Sequence, residues 1–199
     1  MDISPTTLEG QYVRLDPLRA DHADALVAAA ADGELWNSPV TVVPSRDTVN
    51  EYLHAALEPQ SLGSELAFVI VQKKPANGAS DRIVGTTRFY EIRPLDRGVA
   101  IGYTWLSVSV QRTPINTETK LLLLTHAFEH WKCIRVELIT DLLNRQSRAA
   151  ILRLGAKEEG ILRNHLIMPN GRIRDSVCFS IIDAEWPEVK AGLMQKLAR

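Results

Sequence analysis

Within residues 99–131, VAIGYTWLSVSVQRTPINTETKLLLLTHAFEHW, the hydrophobic period changes once and abruptly. Ile101, Tyr103 and Trp105 lie in near alternation among β-branched and aromatic neighbours, the pattern of a strand. Beyond the polar turn Gln111-Arg112-Thr113-Pro114, Leu121, Leu124, Phe128 and Trp131 recur at helical spacing, and Leu122 and Leu123 widen the apolar face. Thr113 reads as the helix N-cap and Pro114 as its first residue, because proline lacks an N–H that the first turn leaves unpaired anyway. A buried strand therefore runs through a short turn into a long helix. The free N–H groups and positive dipole end of such a helix favour anions, so residues 113–117 are an expected site for a phosphate-bearing ligand.

The flanking segments supply the rest of a sheet. Residues 1–10 read as a terminal arm, 12–18 as a short strand, 21–31 as an alanine-rich helix stopped at Gly33, and 46–57 as a second helix capped by Ser45. Between those helices, Leu35-Trp36 reads as an interior plug and residues 40–44 as a loop. The unbroken apolar run in 65–73 predicts a strand buried on both faces. Residues 75–81, with Asn77-Gly78 at the tip, lead to a strand at 83–92, and a short link leads on to the central strand. Further strands are expected at 135–140, 160–166 and 176–182, the last two flanking Pro169-Asn170-Gly171 as a hairpin tip. Asn144 begins a short helix that Gly155 stops, and Asp183 caps a terminal helix with Trp186, Val189, Leu193 and Leu197 on one face. This order predicts a single α/β (α+β) domain over residues 1–199: an antiparallel meander at the centre, a parallel strand pair after the central helix, and flanking helices. Ligands in such sheets bind where strands end and connections diverge, here near Leu106 to Thr117 and at Asn144.

Composition narrows the function. A formal charge of −1 on 199 residues argues against a nucleic-acid partner, which usually needs a basic excess. Cys133 and Cys178 lack metal-site spacing and are expected as buried or half-buried free thiols, with no metal bound. The N-terminal residues show no signal pattern, and no apolar run approaches a membrane span, so a cytoplasmic location is expected.

The order of elements, with IGYTW, QRTPIN, TETKLLLLTHAFE, RVEL, NRQSRAAILRLGAKEEGILRNH and RDSVCFSII, resembles the GNAT superfamily of acetyl-CoA-dependent N-acetyltransferases. Within it the chain is most similar to the branch containing the ribosomal-protein N-terminal acetyltransferases. The resemblance covers almost the whole chain, from about residue 8 onward. It implies that Gln111, Arg112, Thr113, Ile115, Asn116 and Thr117 occupy the pyrophosphate loop, where Pro114 and Asn116 replace the family's small residues. It implies that main-chain groups around Leu106, Ser107 and Val108 meet the pantetheine arm and that a main-chain N–H near Val108 stabilises the oxyanion. Asn144 is matched to a contact with the coenzyme arm, Arg153 to the phosphates, and Ser147 to the donor that reprotonates the departing thiolate. A base is less clearly marked: Glu91, Glu137, Asp141 and His165 are candidates, with Asp141 preferred as base or amine-orienting group.

The implied activity is transfer of acetyl from acetyl-CoA to a primary amine, a protein N-terminus or a small molecule, by direct attack. The partner is then the amine substrate, with neither nucleic acid nor membrane, and a homodimer through the terminal helix is a further expectation. The alternative is a non-catalytic CoA-binding sensor with the same fold, suggested by Pro114, Asn116 and the Ala100 that stands where related sequences often carry glutamate. Loss of the ligand altogether is a third reading, opposed by retention of Asn144, Ser147 and Gly155-Ala156.

Overall fold

The computed structural model describes residues 1–73 and 80–198, so the Asn77-Gly78 turn expected from the sequence lies outside the described residues. In chain order the elements are β1 (Leu8–Glu9), β2 (Val13–Pro17), α1 (Ala23–Ala31), α2 (Val49–Ser61), β3 (Leu66–Gln72), β4 (Arg82–Arg93) and β5 (Gly98–Leu106). They continue with α3 (Pro114–Thr125), β6 (Arg135–Asp141), α4 (Arg145–Leu154), β7 (Lys157–Ile167), β8 (Ile173–Ile182) and α5 (Trp186–Leu197). The strands form an eight-stranded sheet in the order β1-β2-β3-β4-β5-β6-β8-β7. The β3–β4–β5 meander is antiparallel, as the short connections require, and the β5–β6 pair joined through α3 is parallel.

Each face of the sheet has its own core. Val13, Leu15, Phe68, Phe89, Ile101, Val136 and Phe179 point to one side, where Leu123 and Leu124 of α3, Ile151 of α4 and Leu193 of α5 cover them. Ala67, Val69, Val71 and Trp105 point to the other, under Leu26 and Ala30 of α1 and Leu53 and Ala56 of α2. The helices α1 and α2 cover only the half of the second face that ends at β5. Strand β3 is buried along almost its whole length, as its apolar run predicts.

Several boundaries differ from the sequence reading for identifiable reasons. The arm does not stay apart. β1 pairs with β2, and Glu118 of α3 accepts the N–H groups of Gln11, Tyr12 and Val13 at 2.8, 2.6 and 2.7 Å. Helix α2 begins at Val49 rather than at 46, because Ser45 and Thr48 close a turn on each other: the Thr48 N–H reaches the Ser45 carbonyl, and the Ser45 N–H reaches the Thr48 hydroxyl at 3.0 Å. It also runs past Pro59. The carbonyl that Pro59 cannot serve, that of Ala55, accepts from Arg88 Nη1 at 3.4 Å. The central helix widens at His126–His130 into a π-turn, which still buries Phe128 and Trp131. The terminal helix has Glu185 at its N-cap, while the Asp183 carboxylate accepts from the Ala184 N–H at 2.9 Å. Leu35 and Trp36 are half-buried against the α1–α2 core, and the connection at 40–44 is irregular, as expected. Cys133 is buried and Cys178 half-buried, both free.

Candidate active site

Strands β5 and β6 pair only where Gly98, Val99 and Ala100 meet Arg135, Val136 and Glu137. Beyond Ala100, β5 continues to Leu106 alongside β4, and β6 continues to Asp141 alongside β8, so the two diverge and enclose a wedge. A bulge in β5 accompanies the divergence: Thr86 opposes Trp105 and Arg88 opposes Gly102, leaving one extra residue on β5, and Tyr103 adopts φ +50°. Residues 101–106 therefore have no strand partner on the β6 side, and those of their main-chain groups that do not pair with β4 face the wedge.

Two helix N-termini close the wedge at its wide end. At α3 the Thr113 hydroxyl donates to the Val110 carbonyl at 2.6 Å and accepts from the Ile115 N–H at 3.4 Å. That cap occupies one of the donors the sequence reading left free, and Thr117, at the fourth helical position, has an N–H that belongs to the helical ladder. The Asn116 N–H remains. Pro114 costs nothing at the first position. Arg112 holds φ +61° between the extended Gln111 and Thr113, a left-handed residue that turns the chain into the cap. At α4 the Asn144 side chain caps the Ser147 N–H at 3.0 Å, and Gly155 ends the helix at φ +104°. The Ser147 hydroxyl and the Asn144 Nδ2 have no partner among the described residues.

Side chains tie these two ends together. Gln111 donates to the Leu106 carbonyl at 2.9 Å and accepts from Gln146 of α4 at 3.0 Å, so it bridges the wedge. Arg153 of α4 reaches Thr117 of α3 at 3.1 Å, which brings its guanidinium to the first turn of α3. Among the described residues, Arg112 and Arg145 have no ion-pair partner. Two helix N-termini and three arginines near them suit a polyanionic ligand such as a diphosphate.

Other expected contacts turn inward. Ser107 is 2 % exposed; its N–H donates to the Val84 carbonyl and its hydroxyl to the Ala29 carbonyl at 2.7 Å. The Val108 N–H is taken by the Asp32 carbonyl at 3.1 Å, so it is not free as an oxyanion donor. Gly33 (φ +97°) makes that contact possible, because a Cβ there would sit 2.1 Å from Val108 Cγ2. Asp141 has a fully buried side chain. One oxygen accepts the Leu143 N–H at 2.9 Å and the other is paired with Arg172, which also donates to the Pro39 carbonyl. A carboxylate so enclosed has no open approach for an incoming amine. Its place is to hold the turn from β6 into α4.

The remaining base candidates line the face of β4, β5, β6 and β8 that α1 and α2 leave open. Glu137 is shared by Arg93 at 2.6 Å and Arg135 at 3.0 Å, Glu91 meets Arg93 at 3.3 Å, and His165 Nδ1 lies 3.0 Å from the Ser176 hydroxyl. Nothing in the sequence pattern marks the residues between them. Tyr103 stacks edge-on against Tyr90 with ring centroids 5.3 Å apart, and the Arg88 guanidinium lies 4.1 Å over the Tyr103 ring while pairing with Glu65 at 2.6 Å. Burial pushes both phenols above their ordinary range, so both are neutral donors near pH 7.

Residues 13–157 match the family described as Acetyltransferase (GNAT) domain, and the chain belongs to that family. The GCN5-related N-acetyltransferase from Brucella melitensis is similar in structure at 30% identity, with a TM-score of 0.84 over 96% of this chain and 85% of that one. "Putative ribosomal N-acetyltransferase YdaF" of Bacillus subtilis (strain 168) is 32% identical over 104 residues, 52% of this chain and 56% of that protein. The match thus spans only about half the length of this curated relative. Mycobacterium smegmatis RimJ, solved in complex with CoA-disulfide, shares the fold at 22% identity, with a TM-score of 0.80 over 99% of this chain and 97% of its own.

Proposed function

We propose that the chain is an acetyl-CoA-dependent N-acetyltransferase whose acceptor is a primary amine, with a protein N-terminus as the leading class. The observation that carries this reading is the wedge between β5 and β6 that ends between two capped helix N-termini. Support comes from the family match and from the coenzyme in the RimJ relative, and the ribosomal N-acetyltransferase name of the Bacillus protein favours the N-terminal acceptor.

When bound, acetyl-CoA supplies an acyl group activated as a thioester. The Asn116 N–H and the arginines 112, 145 and 153 hold the diphosphate. Main-chain groups of residues 101–106 and the Asn144 side chain hold the pantetheine arm, with Gln111 moving off the Leu106 carbonyl to admit it. The neutral amine enters from the open face. Its nitrogen forms the amide bond as the carbon–sulfur bond breaks, its proton passes to water on that face, and Ser147 donates its hydroxyl proton to the departing sulfur and recovers one from solvent. Asp141 acts as a positioning residue for Asn144 and Ser147. Localisation in the cytoplasm fits such an acceptor; among the described residues no helix is long and apolar enough to cross a membrane.

One observation favours the sensor alternative: Gln111 and Gln146 bridge the wedge where the arm must lie. Free thiol released from acetyl-CoA in the presence of N-terminal peptides, with the acetylated peptide identified by mass, separates the two. Acceptor-dependent release supports the enzyme. Saturable CoA binding with no release across a broad acceptor panel would leave the sensor.

A further inference from the structure

The mouth of the wedge on the open face is bracketed from two sides. Tyr103, on the splayed half of β5, and Tyr90 of β4 form one side, and Ser176 of β8, in register with Asp141 at the end of β6, marks the other. Arg174 lies between. Its Nε donates to the Ser176 hydroxyl at 2.9 Å, which fixes the guanidinium, and its charge acts on both phenols across the mouth.

The charges around the mouth do not cancel. The carboxylates that act on the two tyrosines are Glu65, Glu91 and Glu137, and each has a cation: Arg88 for Glu65, Arg93 for Glu91, and Arg93 with Arg135 for Glu137. Of the two cations that act on them, Arg88 is committed to Glu65, whereas Arg174 has no carboxylate partner among the described residues. A half-buried guanidinium anchored through Nε keeps its terminal nitrogens free as a planar fork. That fork fits a carboxylate by two parallel hydrogen bonds, and the tyrosine hydroxyls beside it are neutral donors.

We infer that Arg174 selects acceptors that carry a carboxylate close to the reacting amine, and that polycationic amines are rejected. This rests on the acetyltransferase reading and names its substrate class. The carboxylate has two sources, the α-carboxylate of a free amino acid or an acidic side chain following the N-terminal residue of a peptide. In either case the anion docks on Arg174 while the amine reaches past Tyr103 into the wedge.

The test uses the full chain and matched acceptors. One arm compares C-terminally amidated peptides beginning Ser-Asp or Ser-Glu with those beginning Ser-Asn or Ser-Gln. The other compares free amino acids with their amides, and spermidine serves as the polycation. Thiol release gives kcat and KM, and calorimetry gives the CoA dissociation constant. The expected result is a preference of at least about tenfold in kcat/KM for the carboxylate member of one arm. Arg174→Gln should abolish it by raising KM for that member, with kcat/KM for the uncharged acceptors and CoA binding within about twofold of wild type and the melting temperature unchanged, and Arg174→Lys should restore part of it. Equal rates within both arms, a preference for spermidine, or an equal loss with every acceptor in Arg174→Gln would overturn the inference while the enzyme reading stands. Silence across the whole panel with CoA bound overturns the acceptor class. Failure of wild type to bind CoA overturns the acetyltransferase reading itself.

Discussion

Replacing Lys120 by methionine should stabilise the fold at pH 6, and the gain should disappear as the solution becomes alkaline. Lys120 lies on α3 under the β5 bulge, 6% exposed, and donates to the Thr104 hydroxyl at 2.7 Å. Among the described residues it has no carboxylate partner, and burial pulls its ammonium from 10.5 down to about 7. Between those values the unfolded chain holds a proton that the folded chain has released, so stability rises with pH across that window. Below about pH 7 both states are protonated and the folded state carries the whole cost of the buried charge. At about 1.4 kcal/mol per pH unit, the gap sets a ceiling of about 5 kcal/mol. Methionine keeps the apolar stem and gives up one hydrogen bond of about 1 kcal/mol, while Thr104 retains its 2.9 Å contact with Thr87. With relaxation around the ammonium, a net gain of about 2 to 3 kcal/mol is expected at pH 6, or roughly 5 to 10 °C in Tm for a chain of this size. Above about pH 10.5 the variant should be slightly less stable than wild type, by that lost hydrogen bond. Urea unfolding between pH 6 and 10.5 reads the difference directly. A constant loss of stability at every pH would refute the reasoning, since it would mean that Lys120 is a satisfied ammonium.

Ser147→Ala should lower kcat roughly 100-fold at neutral pH while KM for acetyl-CoA stays within about twofold, because the hydroxyl acts on the departing sulfur rather than on binding; steady-state kinetics check this, and an unchanged kcat removes Ser147 from the mechanism. Gly155→Ala should cost about 1 to 3 kcal/mol in denaturant unfolding, since φ is +104° and the new Cβ would sit 3.1 Å from Val189 Cγ2. Arg135 holds the Glu159 carboxylate down at about 2, so the pair's contribution is present in full above about 4.5 and is lost progressively as pH falls from there to about 2. Both partners are about a third or more exposed, so Glu159→Gln should cost under about 1 kcal/mol at pH 7, and acid titration should show that difference from wild type fading as pH falls from 4.5 to about 2.

What the sequence made legible was local. Thr113 followed by Pro114, Asn144 three residues before Ser147, and Gly155 after an apolar helix each set a helix end through chemistry within one turn, and the structure places all three ends there. The change of period after Trp105 gave the strand, the turn and the helix that build the parallel pair. What it left hidden depends on residues far apart in the chain. Glu118 gathers the arm from more than a hundred positions away, Arg88 supplies the donor that lets α2 pass Pro59, and Asp32 claims the Val108 N–H. Arg174 reads as one more polar residue after a hairpin tip until β8 is laid beside β6 and the divergence of β5 opens the space in front of it. The divergence itself has no sequence signature, because pairing ends at Ala100 without a proline or a change of pattern.

The most direct test of the central claim is calorimetric titration of the full chain with CoA, with ATP as the control for general phosphate binding. CoA should bind one-to-one with a dissociation constant in roughly the micromolar range, about −8 kcal/mol, weakened at least about tenfold in Asn144→Ala and in Arg112→Ala, and ATP should give no comparable heat. No heat with CoA at millimolar concentration, or equal binding of ATP, would contradict it and would mean that the wedge between β5 and β6 is not a coenzyme site.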